Sequence, residues 1–156
     1  MMFHVVAVGR VRNPSLRAAC EDYLERAHRY IKLRMREVPD GARGSKSRTV
    51  VLREEAKAIL RATPSNARLV ALSRSGRQLD SRAFAAALDQ WRQDPQDLAF
   101  LIGGAYGLGD AVQDRCDDAI RLSDLTLPHE LARLVLLEQI YRGNTILKGE
   151  PYHKGD

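Results

Sequence analysis

Two glycines, Gly103 and Gly104, follow the apolar run Leu98 to Ile102. Further along, Leu-Ser-Asp-Leu-Thr-Leu-Pro-His at 122–129 leads into a second apolar stretch. The chemistry these residues suit is the holding of a small molecule. Glycine has no Cβ, so a ligand can lie directly against its backbone. Pro128 fits the first helical position after Leu127, where its missing N–H costs nothing. The pattern reads as two strand-to-helix junctions meeting at the strand ends of an α/β sheet, where such folds place their pockets. On the helix that follows, His129 and Arg133 stand four residues apart, as do Glu138 and Arg142, so each pair shares a face.

Several familiar chemistries fail on spacing. Counted from Gly103, the third and sixth positions of the glycine-rich segment are Ala105 and Leu108, so it is not a dinucleotide fingerprint. Gly104 and Gly109 lead into Asp110 rather than Lys and Ser/Thr, so it is not a phosphate loop either. His129-Glu130-Leu131-Ala132-Arg133 has arginine where a zinc protease needs its second histidine. Cys20 and Cys116 lie far apart and read as reduced small hydrophobes. No metal is expected.

The elements that must position these residues alternate. The apolar run Phe3 to Gly9 predicts a strand buried on both faces. Asn13-Pro14 starts a helix whose Leu16, Ala19, Tyr23, Leu24, Ala27, Tyr30 and Ile31 recur at helical spacing. Leu33 to Val38 is a short strand, and Pro39 to Ser47 a flexible basic loop. Val51, Glu55 and Ile59 give the period of a helix over 47–62. Arg68 to Leu72 is a third strand, closed by a turn at Ser73 to Gly76. Ser81 caps a helix carrying Phe84, Leu88 and Trp91. Leu98 to Ile102 is the fourth strand, Asp110 to Cys116 a short helix and Ala119 to Leu122 the fifth strand. The last helix runs from Pro128 to about Leu147. Strands alternating with helices predict a single α/β domain built on a largely parallel sheet. The last helix is apolar nearly all round, through Leu131, Leu134, Val135, Leu136, Leu137, Ile140 and Tyr141. It must be covered on more than one side, which favours a subunit interface over a purely internal helix.

The 156 residues are 44% hydrophobic and 29% charged, with a formal net charge of +5. That composition suits a soluble protein with an attraction for polyanions, nucleic acid first among them. No run reaches the roughly 20 apolar residues that span a bilayer, and the start lacks a signal-peptide pattern, so a cytoplasmic location is expected.

In their order and spacing, Leu101-Ile102-Gly103-Gly104, the run at 122–129, the Glu138-x-x-Tyr141-Arg142 step and the closing Pro151-Tyr152-His153 resemble the RlmH family. The likeness extends across the whole chain, from Val6-Ala7-Val8-Gly9 onward. These small SPOUT-superfamily enzymes methylate N3 of a pseudouridine in large-subunit (23S) ribosomal RNA, with S-adenosylmethionine as donor. The resemblance implies a C-terminal deep trefoil knot, a rare topology, and a homodimer formed through the last helix. It also implies that the donor lies against Leu72, Gly103, Gly104, Leu122, Ser123, Asp124, Leu125, Thr126 and Leu127. The chain departs from the family pattern at Ser73-Arg74, at Ala105-Tyr106 and at Gly143-Asn144, where glycine weakens a helix interior by ~1 kcal/mol relative to alanine.

On this resemblance the acceptor is an imide nitrogen that must lose a proton, so a base or an anion-stabilising cation is needed. His129, Arg142, Tyr152 and His153 are the candidates, with Glu138 orienting Arg142. For RNA, the basic cluster Arg26, Arg29, Lys32, Arg34 and Arg36 offers phosphate contacts, and Arg133 joins this set. Two rival readings remain open: a non-catalytic ribosome- or RNA-binding module on the same fold, and a SPOUT enzyme acting on transfer RNA.

Overall fold

The structure, a computed structural model, describes residues 1–154. Five strands alternate with five helices: β1 (Phe3–Val8), α1 (Pro14–Ala27), β2 (Leu33–Val38), α2 (Arg48–Ala62), β3 (Arg68–Gln78), α3 (Ser81–Arg92), β4 (Leu98–Ile102), α4 (Asp110–Gln113), β5 (Asp118–Arg121) and α5 (His129–Leu147). The strands form one parallel sheet in the order β2-β1-β4-β3-β5. Among the described residues no helix is long and apolar enough to cross a membrane.

The continuous apolar runs occupy the middle of the sheet. Every residue of β1 and β4 is buried, as a strand covered on both faces requires. Phe3, Val5, Ala7 and Phe100 point toward a core completed by Cys20 and Ala27 of α1, Phe84, Leu88 and Trp91 of α3, and Leu136, Leu137 and Ile140 of α5. Val6, Val8 and Leu101 point the other way, against Ala56 and Ile59 of α2 and Val112 of α4. The strand order leaves a crevice above the C-terminal ends of the strands, the usual place for a ligand in an open parallel sheet.

Element boundaries differ from the sequence expectation in several places: α4 stops at Gln113 rather than Cys116, β5 is shifted one residue earlier than Ala119 to Leu122, and four further differences have identifiable reasons. Asn13 caps α1 as expected, accepting from Ser15 N at 2.9 Å and Leu16 N at 3.2 Å. However, α1 stops at Ala27, before Tyr30 and Ile31. β2 must begin at Leu33 opposite Phe3, so residues 28–32 turn the chain, and Phe3 N donates to Lys32 O at 2.8 Å. Asp80 rather than Ser81 caps α3, accepting from Ala83 N at 2.7 Å. Pro128 is the cap of α5, extended at φ −54° and ψ 145°, and His129 is its first helical residue. The turn at Ser73 to Gly76 is an excursion within β3. Pairing with β5 runs to Leu72↔Ile120, loops out, and resumes at Arg77↔Ile120. Arg77 locks the second half with a bidentate pair to Asp118, 3.2 Å from Nε and 2.6 Å from Nη2.

Gly143 and Asn144 weaken α5 locally but let α3 approach it. A Cβ at Gly143 would stand 2.7 Å from Leu88 Cδ1 and 3.5 Å from Ala85 Cα. Asn144 is buried, donates from Nδ2 to Ile140 O at 2.6 Å and accepts from Arg92. Leu88 is fully buried, in an interior of the close-packed kind that yields little to an added methyl group. Overpacking of this kind costs ~1–3 kcal/mol, against ~1 kcal/mol regained in helix propensity. Gly143→Ala is therefore expected to lower Tm by roughly 2–4 °C, a net loss of ~1 kcal/mol for a chain this size. A thermal melt showing a higher Tm would mean that α3 yields readily.

Candidate active site

Above the C-terminal ends of β3, β4 and β5 lies a cavity of about 850 Å³, a size that admits a cofactor-scale molecule. Its walls include all nine residues expected to face a donor: Leu72, Gly103, Gly104, Leu122, Ser123, Asp124, Leu125, Thr126 and Leu127. His129, Ala132 and the exposed residues Arg48, Arg74 and Tyr106 also line it. The loop 122–127 is turned by Ser123, whose Oγ accepts from Leu125 N at 2.9 Å. This turn sets Leu125 at the edge of the cavity, 78% exposed. Asp124 pairs with Arg121 at 3.0 Å on the exposed side.

The glycines serve the protein's own packing before they serve a ligand. A Cβ on Gly103 would come within 2.2 Å of the Gly107 carbonyl carbon, so the turn closes on itself there. Gly107 N donates to Gly104 O at 3.0 Å, with Gly107 at φ +72°. A Cβ on Gly104 would stand 2.9 Å from both Glu55 Oε1 and Val8 Cγ1. The expected open approach at the backbone is thus available only from the cavity side.

Glu55, read from sequence as one step of an apolar stripe, is the buried support of this turn. It is 2% exposed, and Oε1 accepts from Gly41 N at 3.1 Å. Oε2 is buried with no hydrogen-bond partner. Burial raises its pKa first of all, and neighbouring Asp40 adds to this. The backbone N–H groups of Gly41 and Gly104 oppose the rise. Gln113 ties the opposite wall together, accepting from Ser73 Oγ at 2.9 Å and donating to Leu108 O at 2.6 Å. Neither role has a sequence signal beyond the polar residue itself.

His129 lines the cavity, but the remaining proton-handling candidates form a separate cluster at the far end of α5. Arg142 donates to Glu138 Oε1 from Nε at 2.9 Å and from Nη2 at 2.6 Å. Tyr152 donates to the same oxygen at 3.1 Å and lies 3.3 Å from the hydroxyl of Tyr23. The Arg142 guanidinium lies over the Tyr152 ring at 4.9 Å, and Tyr141 meets that ring edge-on at 4.7 Å. Burial first, then the Tyr23 hydroxyl and the Glu138 carboxylate, push the Tyr152 hydroxyl pKa up and hold the phenol protonated. His153 follows Tyr152 in the same terminal turn. Arg142 lies thirteen residues beyond His129 along the helix, a rise of about 20 Å at ~1.5 Å per residue. Within one chain the expected set is split in two.

A family model described as "Predicted SPOUT methyltransferase" matches residues 1–153. The chain belongs to the SPOUT methyltransferase family. Among its relatives, a ribosomal RNA large subunit methyltransferase H from Anaeromyxobacter sp. (strain Fw109-5) is 45% identical over 154 residues, covering 99% of this chain and 100% of that protein. Proteins of the same name from Dechloromonas aromatica (strain RCB) and Burkholderia mallei (strain SAVP1) are 42% and 39% identical, each over 99% of both chains.

In this SPOUT methyltransferase one expected RNA contact is ruled out by burial. Arg133 is 0% exposed. It donates to Glu37 Oε1 at 2.8 Å, to Val8 O at 3.2 Å and to Gly9 O at 3.1 Å, clamping the start of α5 to the end of β1. Helical spacing put it on the face of His129, but that face turns inward. Of the basic cluster, Arg26 pairs with Asp22 at 2.9 Å, and Arg36 donates to Ala62 O at 3.1 Å. Arg29, Lys32 and Arg34 are exposed and, among the described residues, make no ion pair. The cluster borders β2, at the opposite edge of the sheet from β5, four strand spacings or roughly 19 Å away. Among the described residues no His, Cys, Asp or Glu group is arranged to hold a metal.

Glu55 gives this site a pH signature. Its folded-state pKa lies above the ordinary value, so the fold binds this proton more tightly than the unfolded chain does. The stabilisation is complete below the ordinary glutamate pKa of about 4.3 and is lost as pH rises through the raised value. Glu55→Gln removes this titration. Urea unfolding across a pH series is expected to show wild type losing stability relative to the Gln variant as pH rises toward neutrality. A difference that does not vary with pH would refute the burial argument.

Proposed function

We propose that the chain transfers a methyl group from S-adenosylmethionine to N3 of a pseudouridine in large-subunit (23S) ribosomal RNA, acting on the assembled ribosome in the cytoplasm. One observation carries the reading: the nine residues that the family resemblance assigns to the donor all line one cavity. The lining fits such a ligand. Apolar side chains of Leu72, Ile102 and Leu127 suit a heteroaromatic ring, and the loop 122–127 and the glycine turn leave backbone groups to read its edge. The donor supplies an already activated methyl on a sulfonium, so the protein's main work is alignment with the acceptor nitrogen.

The proton on that nitrogen is the remaining barrier. Arg142, oriented by two hydrogen bonds to Glu138, offers a fixed cation for the developing anion. The raised Tyr152 hydroxyl acts as a hydrogen-bond donor rather than as a base. His129 and His153 carry the imidazole nitrogens that take this proton in the proposed reaction.

The 20 Å separation within one chain supports a homodimer through α5. A second copy packed against this helix in the opposite sense brings its tail cluster toward the cavity end. The outward face of α5, with Leu131, Leu134 and Val135 only partly covered, is apolar enough for such a contact. The threading of the C-terminal part as a deep trefoil knot belongs to this proposal through the resemblance alone.

Mass mapping of ribosomal RNA from a deletion strain is expected to show one pseudouridine without its methyl group, restored by this chain. A complete modification profile in the deletion strain would overturn the reading. In vitro, His153→Ala is expected to lower turnover by ~10²-fold or more, the scale of general acid–base catalysis, with donor affinity kept in isothermal titration. Unchanged turnover would remove His153 from the chemistry. If the exposed cations beside β2 meet phosphate, reversing Arg29 and Arg34 together lowers the slope of log affinity against log salt by about 1.4–1.8, at ~0.7–0.9 for each phosphate left without its cation. An unchanged slope would mark them as a solvated face.

A further inference from the structure

We propose that Tyr106 and Arg48 form a stacking platform for an unpaired base of the RNA, at the mouth of the cavity; this rests on the methyl-transfer reading above. The chain has five tyrosines. Four of them, Tyr23, Tyr30, Tyr141 and Tyr152, pack together around the end of α5. Tyr106 stands apart and is 44% exposed. Its ring faces the Arg48 guanidinium, 5.6 Å from the ring centroid. Arg48 is itself exposed and, among the described residues, makes no ion pair. Both side chains line the cavity, as does Arg74, which is likewise exposed and, among the described residues, makes no ion pair.

The placement is built rather than incidental. Tyr106 sits at the tip of the turn that Gly104 and Gly107 close by a backbone bridge. That turn rests on buried Glu55. With Arg48 over one face, an aromatic ring held out to solvent by a closed turn keeps the other available at little conformational cost. Unpaired RNA bases are recognised by stacking on aromatic rings and arginine planes. Arginine adds a charge for the adjoining phosphate. The deeper wall of the cavity is glycine backbone and aliphatic side chain, suited to the donor. The ring and guanidinium lie on its outer rim, where a polymer must pass to present one of its bases. Sequence spacing gave Tyr106 no role beyond marking a departure from the family pattern.

The test uses the intact protein and purified large ribosomal subunits that lack the modification. Tyr106→Ala is expected to raise the co-sedimentation Kd about 10-fold, within the ~5- to 150-fold range that loss of one base stack gives. Tyr106→Phe and Tyr106→Trp should keep the wild-type Kd, because the ring and not the hydroxyl acts. Arg48→Ala should lower the salt slope by roughly 0.7. The donor Kd from isothermal titration should stay within about twofold in every variant. Unchanged subunit affinity in Tyr106→Ala overturns the platform. So does a raised donor Kd with subunit affinity intact, which would assign the ring to the donor. Wild type that binds subunits through Tyr106 yet transfers no methyl group would overturn the proposed activity and leave the platform standing.

Discussion

Close approach to glycine backbone is the constraint on which the cavity depends. At Gly103 the chain meets itself across the turn to Gly107, at Gly104 it meets the carboxylate of Glu55, and at Gly76 it meets Ile120 of the neighbouring strand. A side chain at any of the three would collide at under 3 Å. These contacts draw the excursion within β3 and the segment after β4 into a wall and leave room above them. The cost is a buried carboxylate with one oxygen unpaired. Such a group is retained only where it fixes geometry that apolar packing cannot, since a hydrocarbon side chain offers nothing to the N–H of Gly41.

A second constraint is the rigidity of α5. Its start is bolted to β1 through the wholly buried Arg133, and its middle is held against α3 by Gly143 and Asn144. A helix fixed at both places cannot bend to carry Arg142 and Tyr152 to the cavity that His129 lines. The geometry of a single chain therefore supplies a binding cavity at one end of α5 and a polarised cluster of cation, carboxylate and phenol at the other. The partly covered apolar flank between them is the surface on which the proposed homodimer rests.

Most of the fold was legible because its signals are local. Continuous apolar runs marked β1 and β4, Asn13-Pro14 marked the start of α1, and the alternation of periods gave the parallel sheet. Two of the misplaced boundaries share one cause: tertiary pairing outranked local periodicity. Tyr30 and Ile31 kept helical spacing after the chain had to turn toward β2. Ser73 to Gly76 looked like the end of a strand because nothing local shows that Arg77 will find Asp118. The cavity residues 122–127 were legible through a family pattern, not through spacing. Glu55, Gln113 and the inward turn of Arg133 were not legible at all. Their meaning lies in partners distant in the chain, and a charged residue at helical spacing looks the same whether its face is wet or buried.

The difference between Arg133 and Arg48 makes the same point in energetic terms. Both are arginines near the start of a helix that borders the cavity. Arg133 has exchanged water for a carboxylate and two carbonyls, and its burial lowers its pKa, so its charge is committed to holding the fold. Arg48 keeps its hydration and makes one ring contact. A charge already neutralised inside the protein gives nothing to an incoming phosphate, whereas a solvated one can release its counterions on binding. The net charge of +5 therefore overstates the attraction in some places and understates it in others. What decides is where the uncommitted guanidinium groups sit, and two of them, Arg48 and Arg74, stand on the rim of the cavity.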